Sequence, residues 1–120
     1  MILYTGGIAQ GTEEAAGARF KDEAKIINGL EEQIREYLAG HAVHFDEIPK
    51  LAECWADEVM TEEEKGTPLI LVTREMGCGV VPMEESEMLL RELYGRFQVE
   101  LAKRAEQVFR VFCGLEYRIK

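Results

Sequence analysis

Gly6 and Gly11 stand five residues apart, directly behind the apolar run Ile2-Leu3-Tyr4-Thr5 and directly ahead of Thr12-Glu13-Glu14. That is the spacing of a phosphate loop. Glycines at such positions let backbone N–H groups turn inward and cradle an anion at the start of a helix. Nucleotide chemistry there needs two further groups. A lysine after the second glycine neutralises the β- and γ-phosphates, and the next Ser or Thr holds magnesium. Thr12 and Glu13 occupy those two positions. Phosphoryl transfer rests mostly on positioning and charge, so the exchange removes the main electrostatic contribution of the loop. Glu13 and Glu14 instead place carboxylates where the helix dipole favours negative charge, the role a phosphate would otherwise fill. Gly6, Gly7, Gly11, Thr12 and Glu13 thus read as a nucleotide loop in degenerate form, or as a tight strand-to-helix turn that binds nothing.

A second constellation is Thr73-Arg74-Glu75-Met76-Gly77-Cys78-Gly79-Val80-Val81-Pro82. It follows the strongest apolar run of the chain. A carboxylate and glycines at the C-terminal end of a parallel strand lie where α/β folds place their sites. Glu75 suits water-mediated metal binding or nucleotide orientation, and equally an exposed loop acid. His41 and His44, with Asp46 and Glu47 nearby, lack a further ligand pair and read as surface histidines. Cys54, Cys78 and Cys113 form no CxxC pair, so they imply neither a disulfide framework nor a zinc cage. No catalytic residue and no metal ligand is assigned.

The elements that must position these residues follow from hydrophobic period and turn residues. Residues 1–5 read as a buried strand and 12–20 as a helix with Thr12 as N-cap. Ala24–Ile27 is a short strand closed by Asn28-Gly29. Leu30, Ile34, Tyr37 and Leu38 make a helical stripe that stops at Gly40. Asp46 is the expected cap of the next helix, whose first turn tolerates Pro49. Its apolar face is Ile48, Leu51, Ala52, Trp55, Ala56 and Val59, and the acidic stretch from Thr61 to Gly66 reads as a solvated connection. Pro68–Thr73 is a strand apolar on both faces, as in a parallel sheet. A long helix runs from Glu84 to Glu106, then a strand from Gln107 to Cys113. Gly114 turns the chain into an antiparallel partner at residues 116–120. Strands alternating with helices predict an α/β domain with helices on both faces of a mostly parallel sheet.

The chain has 120 residues and a net charge of −9, and reads as one domain over 1–120. The acidic balance argues against nucleic-acid binding. No run is long enough to span a bilayer and no secretory signal precedes the first strand, so the expected compartment is the cytoplasm.

The second half, from Leu69 through Thr73-Arg74-Glu75-Met76-Gly77-Cys78-Gly79-Val80-Val81-Pro82, resembles the adenosylcobinamide kinase / adenosylcobinamide-phosphate guanylyltransferase family (CobU-type). The family signature there is Val-Thr-Asn-Glu-(apolar)-Gly-x-Gly-(apolar)-Val-Pro. The resemblance continues through Gly95-Arg96-Phe97-Gln98-Val99-Glu100-Leu101-Ala102, where the family writes Gly-Arg-(apolar)-Asn-x-x-Leu-Ala, and into Val108–Gly114. Thr5-Gly6-Gly7 and Gly11 match the family's opening Thr-Gly-Gly-x-x-x-Gly. Residues 1–11 and 69–120 carry the likeness. It implies a P-loop-like three-layer fold with a C-terminal antiparallel strand, and a role in cobalamin biosynthesis. It also implies GTP or ATP with Mg²⁺ where active, nucleotide or corrinoid as ligand, and a homo-oligomer, with the long 84–106 helix or its neighbours as the expected interface. Glu75, Gly77, Gly79 and Pro82 are the signature-loop residues it marks. The chain departs from the family at Thr12 and Glu13 and at Arg74, where the family has Asn. The family's guanylylated histidine segment has no counterpart. Asn28 stands at the weakly matching position of a metal-binding Asp. Impaired catalysis is therefore the expectation. An active enzyme drawing on Arg19, Lys21 or Lys25 is one alternative, and a non-catalytic interaction or scaffold subunit is another.

Overall fold

The computed structural model describes residues 1–20, 24–76 and 83–120. Five strands form one sheet: β1 (Ile2–Gly6), β2 (Lys25–Ile27), β3 (Leu69–Arg74), β4 (Gln107–Phe112) and β5 (Leu115–Arg118). Their order is β2-β3-β1-β4-β5, with every pair parallel except β4–β5. The helices are α1 (Thr12–Phe20), α2 (Leu30–Gly40), α3 (Ile48–Glu64) and α4 (Glu85–Arg104). The expected α/β class and its closing antiparallel strand are both present.

β1 is central because nothing on it resists burial on two sides. Leu3 faces one core with Leu69, Leu71 and Val108, under α2, α3 and α4. Tyr4 faces the other with Ile70, Val72, Phe109, Val111 and Ala16 of α1. Helices flank both faces as expected, but unequally: three on one side and the short α1 on the other. β1 leaves toward β2 through α1, while β3 leaves toward β4 through α4 on the opposite face. The strands' C-terminal ends therefore open a crevice between β1 and β3, the place where open α/β sheets bind ligands.

Four local expectations are corrected. Thr61–Glu64 completes the last turn of α3 rather than a loop; a run of Glu carries good helix propensity and its exposure costs nothing. Asp46 does not cap α3. A 3₁₀ turn at Phe45–Glu47 comes first, closed by reciprocal bonding between His44 and Glu47, and Pro49 sits in the first turn of α3. Thr12 is the first helical residue rather than a cap, and its hydroxyl has no hydrogen-bond partner. The long helix is two residues shorter at its C-terminal end than 84–106 predicts, because Ala105 is extended.

Candidate functional site

The loop between β1 and α1 walls a cleft of about 430 Å³, lined from Gly6 through Glu14, by Asn28 after β2, and by Val72, Thr73 and Arg74 at the end of β3. Gly6, Gly7, Gly11, Thr12 and Glu13 are thus brought together. The bonds that hold the loop engage its carbonyls. Gly6 O accepts from the Glu75 N–H (2.9 Å), Gln10 O from the Gly114 N–H (2.8 Å), and Gly11 O from the Ala15 N–H (2.9 Å). Gln10 also accepts the Cys113 N–H on its side-chain oxygen at 2.7 Å. Among the described residues, no such turn bond uses the N–H groups from Ile8 to Glu14.

Two glycines are fixed by space and angle. A Cβ on Gly6 would lie 2.2 Å from Thr12 Oγ1 and 2.9 Å from Val111 O. Gly11 has φ +82° and passes against Gly114. Ala9 adopts φ 57° within the same turn, a strained position for a residue with a Cβ.

The Thr12 hydroxyl is buried under Gly6 and unpaired. The Glu13 carboxylate accepts from Asn28 Nδ2 at 2.9 Å. Asn28, in turn, accepts the Gly29 N–H on its Oδ1 at 2.8 Å. Among the described residues lining the cleft, Arg74 is the one basic residue, and its guanidinium lies 3.8 Å from Glu31. A P-loop magnesium is held by phosphates and the hydroxyl at the position of Glu13. That position here carries a carboxylate tied to an amide, so the residues do not fit that role and no step is routed through a metal. Among the described residues no three His, Cys, Asp or Glu side chains converge to hold a metal ion.

Glu75 flanks the cleft without lining it. Its N–H holds the loop, and its carboxylate takes Arg110 Nε at 2.7 Å and Nη2 at 3.4 Å. Gly77, Gly79, Pro82, Cys78 and Lys21 lie outside the described residues. Arg19 sits in the last turn of α1, about 10 Å along the axis from Thr12, where it binds Glu116 at 2.8 Å. Lys25 opens β2 opposite Leu69, at the far end of the sheet from the loop. His41 stacks on Tyr37 at 4.0 Å between ring centroids, and His44 serves the turn before α3. Cys54 and Cys113 are free and exposed.

Sequence reasoning overlooked the support beneath the β3 end. Tyr94 on α4 accepts the Arg74 N–H at 2.9 Å; burial raises its phenol pKa. Gln98 donates to Arg74 O at 3.1 Å and accepts from Thr73 at 3.3 Å. The available signal was Gln98 itself, an amide on the buried side of a helix at the position where the resemblance has Asn.

A sequence model described as cobinamide kinase / cobinamide phosphate guanyltransferase matches residues 14–119. No curated protein matches the chain in sequence.

Proposed function

The chain belongs to the cobinamide kinase / cobinamide phosphate guanyltransferase family, and from that premise we propose that it serves cobalamin biosynthesis as a nucleotide-cradling member impaired in phosphoryl transfer. One observation supports this above the others. The loop keeps the glycines and the strand-to-helix position of a phosphate cradle, with three of its carbonyls taken up by backbone bonds, while its two charge-bearing positions are a buried hydroxyl and an amide-bound carboxylate. Shape is retained and charge is inverted. Such a loop binds the phosphates of GTP or ATP weakly and offers no lysine to the transferring group.

Two of the three basic residues weighed as substitutes do not favour an active enzyme, and the third, Lys21, lies outside the described residues. Arg19 is engaged with Glu116, and Lys25 is at the opposite end of its strand. Calorimetry with GTP, ATP and adenosylcobinamide, beside a phosphate-transfer assay, tests the reading. Weak nucleotide binding with background turnover is expected. Turnover well above background, or no binding of any of the three, overturns it. Restoring both positions with Thr12→Lys and Glu13→Ser raises nucleotide affinity at least tenfold, about 1.4 kcal/mol, if the cradle is intact. An unchanged affinity would mean that the loop is only a turn.

A further inference from the structure

α2 and α3 each pack on α4, and between them lies a groove of about 580 Å³ with Phe97 of α4 as its floor. α2 supplies Leu30, Gln33, Ile34 and Tyr37, and α3 supplies Trp55, Glu58, Val59 and Glu62. Both sets have the spacing i, i+3, i+4, i+7, which is one stripe of a helix. Tyr37, the last of one set, touches Trp55, the first of the other, so the groove has an aromatic end. It shares no lining residue with the cleft at the glycine loop.

Trp55 stands edge-on to Tyr37 at 4.9 Å between ring centroids and to Phe97 at 6.0 Å, in both cases at 87°. Tyr37 is braced in turn by its stacking on His41. Three rings are therefore held in a fixed relation. The polar tips of two of them are unspent. Neither the Trp55 indole N–H nor the Tyr37 hydroxyl has a hydrogen-bond partner among the described residues, although such groups usually find one when their rings are covered. The two acids differ. Glu62 pairs with Lys65 at 2.6 Å, whereas the Glu58 carboxylate has no partner among the described residues. No Lys, Arg or His is among the described residues that line the groove. Glu58 follows Trp55 on the same stripe, about 4.5 Å along the helix axis.

We propose that the groove between α2 and α3 is a binding site for a small organic cation, with a flat apolar ring against Trp55, Tyr37 and Phe97 and an ammonium group one helical turn away at Glu58. Size, wall and charge agree on that class. The volume falls within the range of about 300–1,000 Å³ for small-molecule pockets, which form between packed helices and combine apolar walls with a few polar groups. Aromatic faces accept an apolar ring and also attract a cation. A cation brought to Glu58 meets a carboxylate with no competing partner. An anion meets Glu58 and Glu62 with no base lining the groove to offset them, so phosphates and nucleotides are disfavoured here.

Trp55 is the only tryptophan of the chain, so its indole N–H gives a single resonance in a nitrogen-correlated proton spectrum. The full chain is titrated with 1-naphthylmethylammonium, 1-naphthylmethanol and 1-naphthylacetate, which share a ring and differ in charge. The cation should shift the indole resonance saturably and bind at least tenfold more tightly than the anion. Glu58 is exposed and without a partner, so Glu58→Gln leaves the fold intact. That variant should weaken the cation severalfold and leave the neutral alcohol unchanged. A shift that does not saturate, an anion or alcohol that binds as tightly as the cation, or a Glu58→Gln variant that holds the cation as tightly as the parent overturns the proposal. The titration uses no nucleotide, so its failure leaves the role proposed for the glycine loop standing.

Discussion

A methyl group at Gly6 has no room. It would meet Thr12 Oγ1 at 2.2 Å and the Val111 carbonyl at 2.9 Å. The hydroxyl can turn away, but the carbonyl is part of the β1–β4 ladder and cannot. Gly6→Ala should therefore lower stability by about 1–3 kcal/mol, read as a shifted denaturation midpoint. Adding Thr12→Ala should recover only part of that loss; complete recovery would show that the carbonyl contact is harmless. Residue identity also explains why Thr12 could be misread. A Thr ahead of two Glu is a good N-cap pattern, yet the close approach of helix and strand puts its side chain beneath Gly6. Spacing cannot report a distance across 6 residues of loop and helix.

The β4–β5 hairpin is the element that departs most from its own preferences. Its turn residues Cys113 and Gly114 both have positive φ, 51° and 74°. That geometry is the tight turn for which Asn-Gly is preferred, and a Cys pays a steric cost that Asn largely escapes. Cys113→Asn should stabilise the protein by about 0.5–1 kcal/mol, provided the Cys113 N–H keeps its bond to Gln10. A lower melting temperature would count against this account. Such elements show what the sequence made legible. The strong periodicity of α2 and α3 and the apolar run of β3 settle the α/β class without coordinates. The glycine pair locates the loop. The partners of that loop were not legible, because Asn28, Glu75 and the hairpin turn come from separate parts of the chain whose only shared property is where the sheet order places them. The end of α3 was misjudged because exposed Glu residues look alike in a helix and in a loop.

At the scale of the molecule, the two faces of the sheet meet different chemistry. Under α2–α4 the core is apolar. Under α1, Tyr4 is fully buried, stacks on Phe109 at 5.0 Å and donates to Glu116, which also holds Arg19. One phenol thus ties β1, α1, β4 and β5 together. Burial first, then the hydrogen bond to Glu116, pushes its pKa up to about 12. The folded value lies above the unfolded value of about 10, so its contribution is whole below pH ~10 and is lost as the pH rises through about 12. Stability should decline over that window, and Tyr4→Phe should flatten part of the decline; an equally steep decline in the variant would refute it. Among the described residues, no helix is long and apolar enough to cross a membrane. The bond from Cys113 to Gln10, 103 positions apart, has a consequence in time. During synthesis the glycine loop emerges early, but the turn that fixes its Gln10 carbonyl and amide is made near the last of the residues described. Until residue 114 has left the ribosome, Gln10 lacks both of those bonds, so the glycine loop of a nascent chain is not yet tied to the sheet's far hairpin, however complete its first strand and helix are.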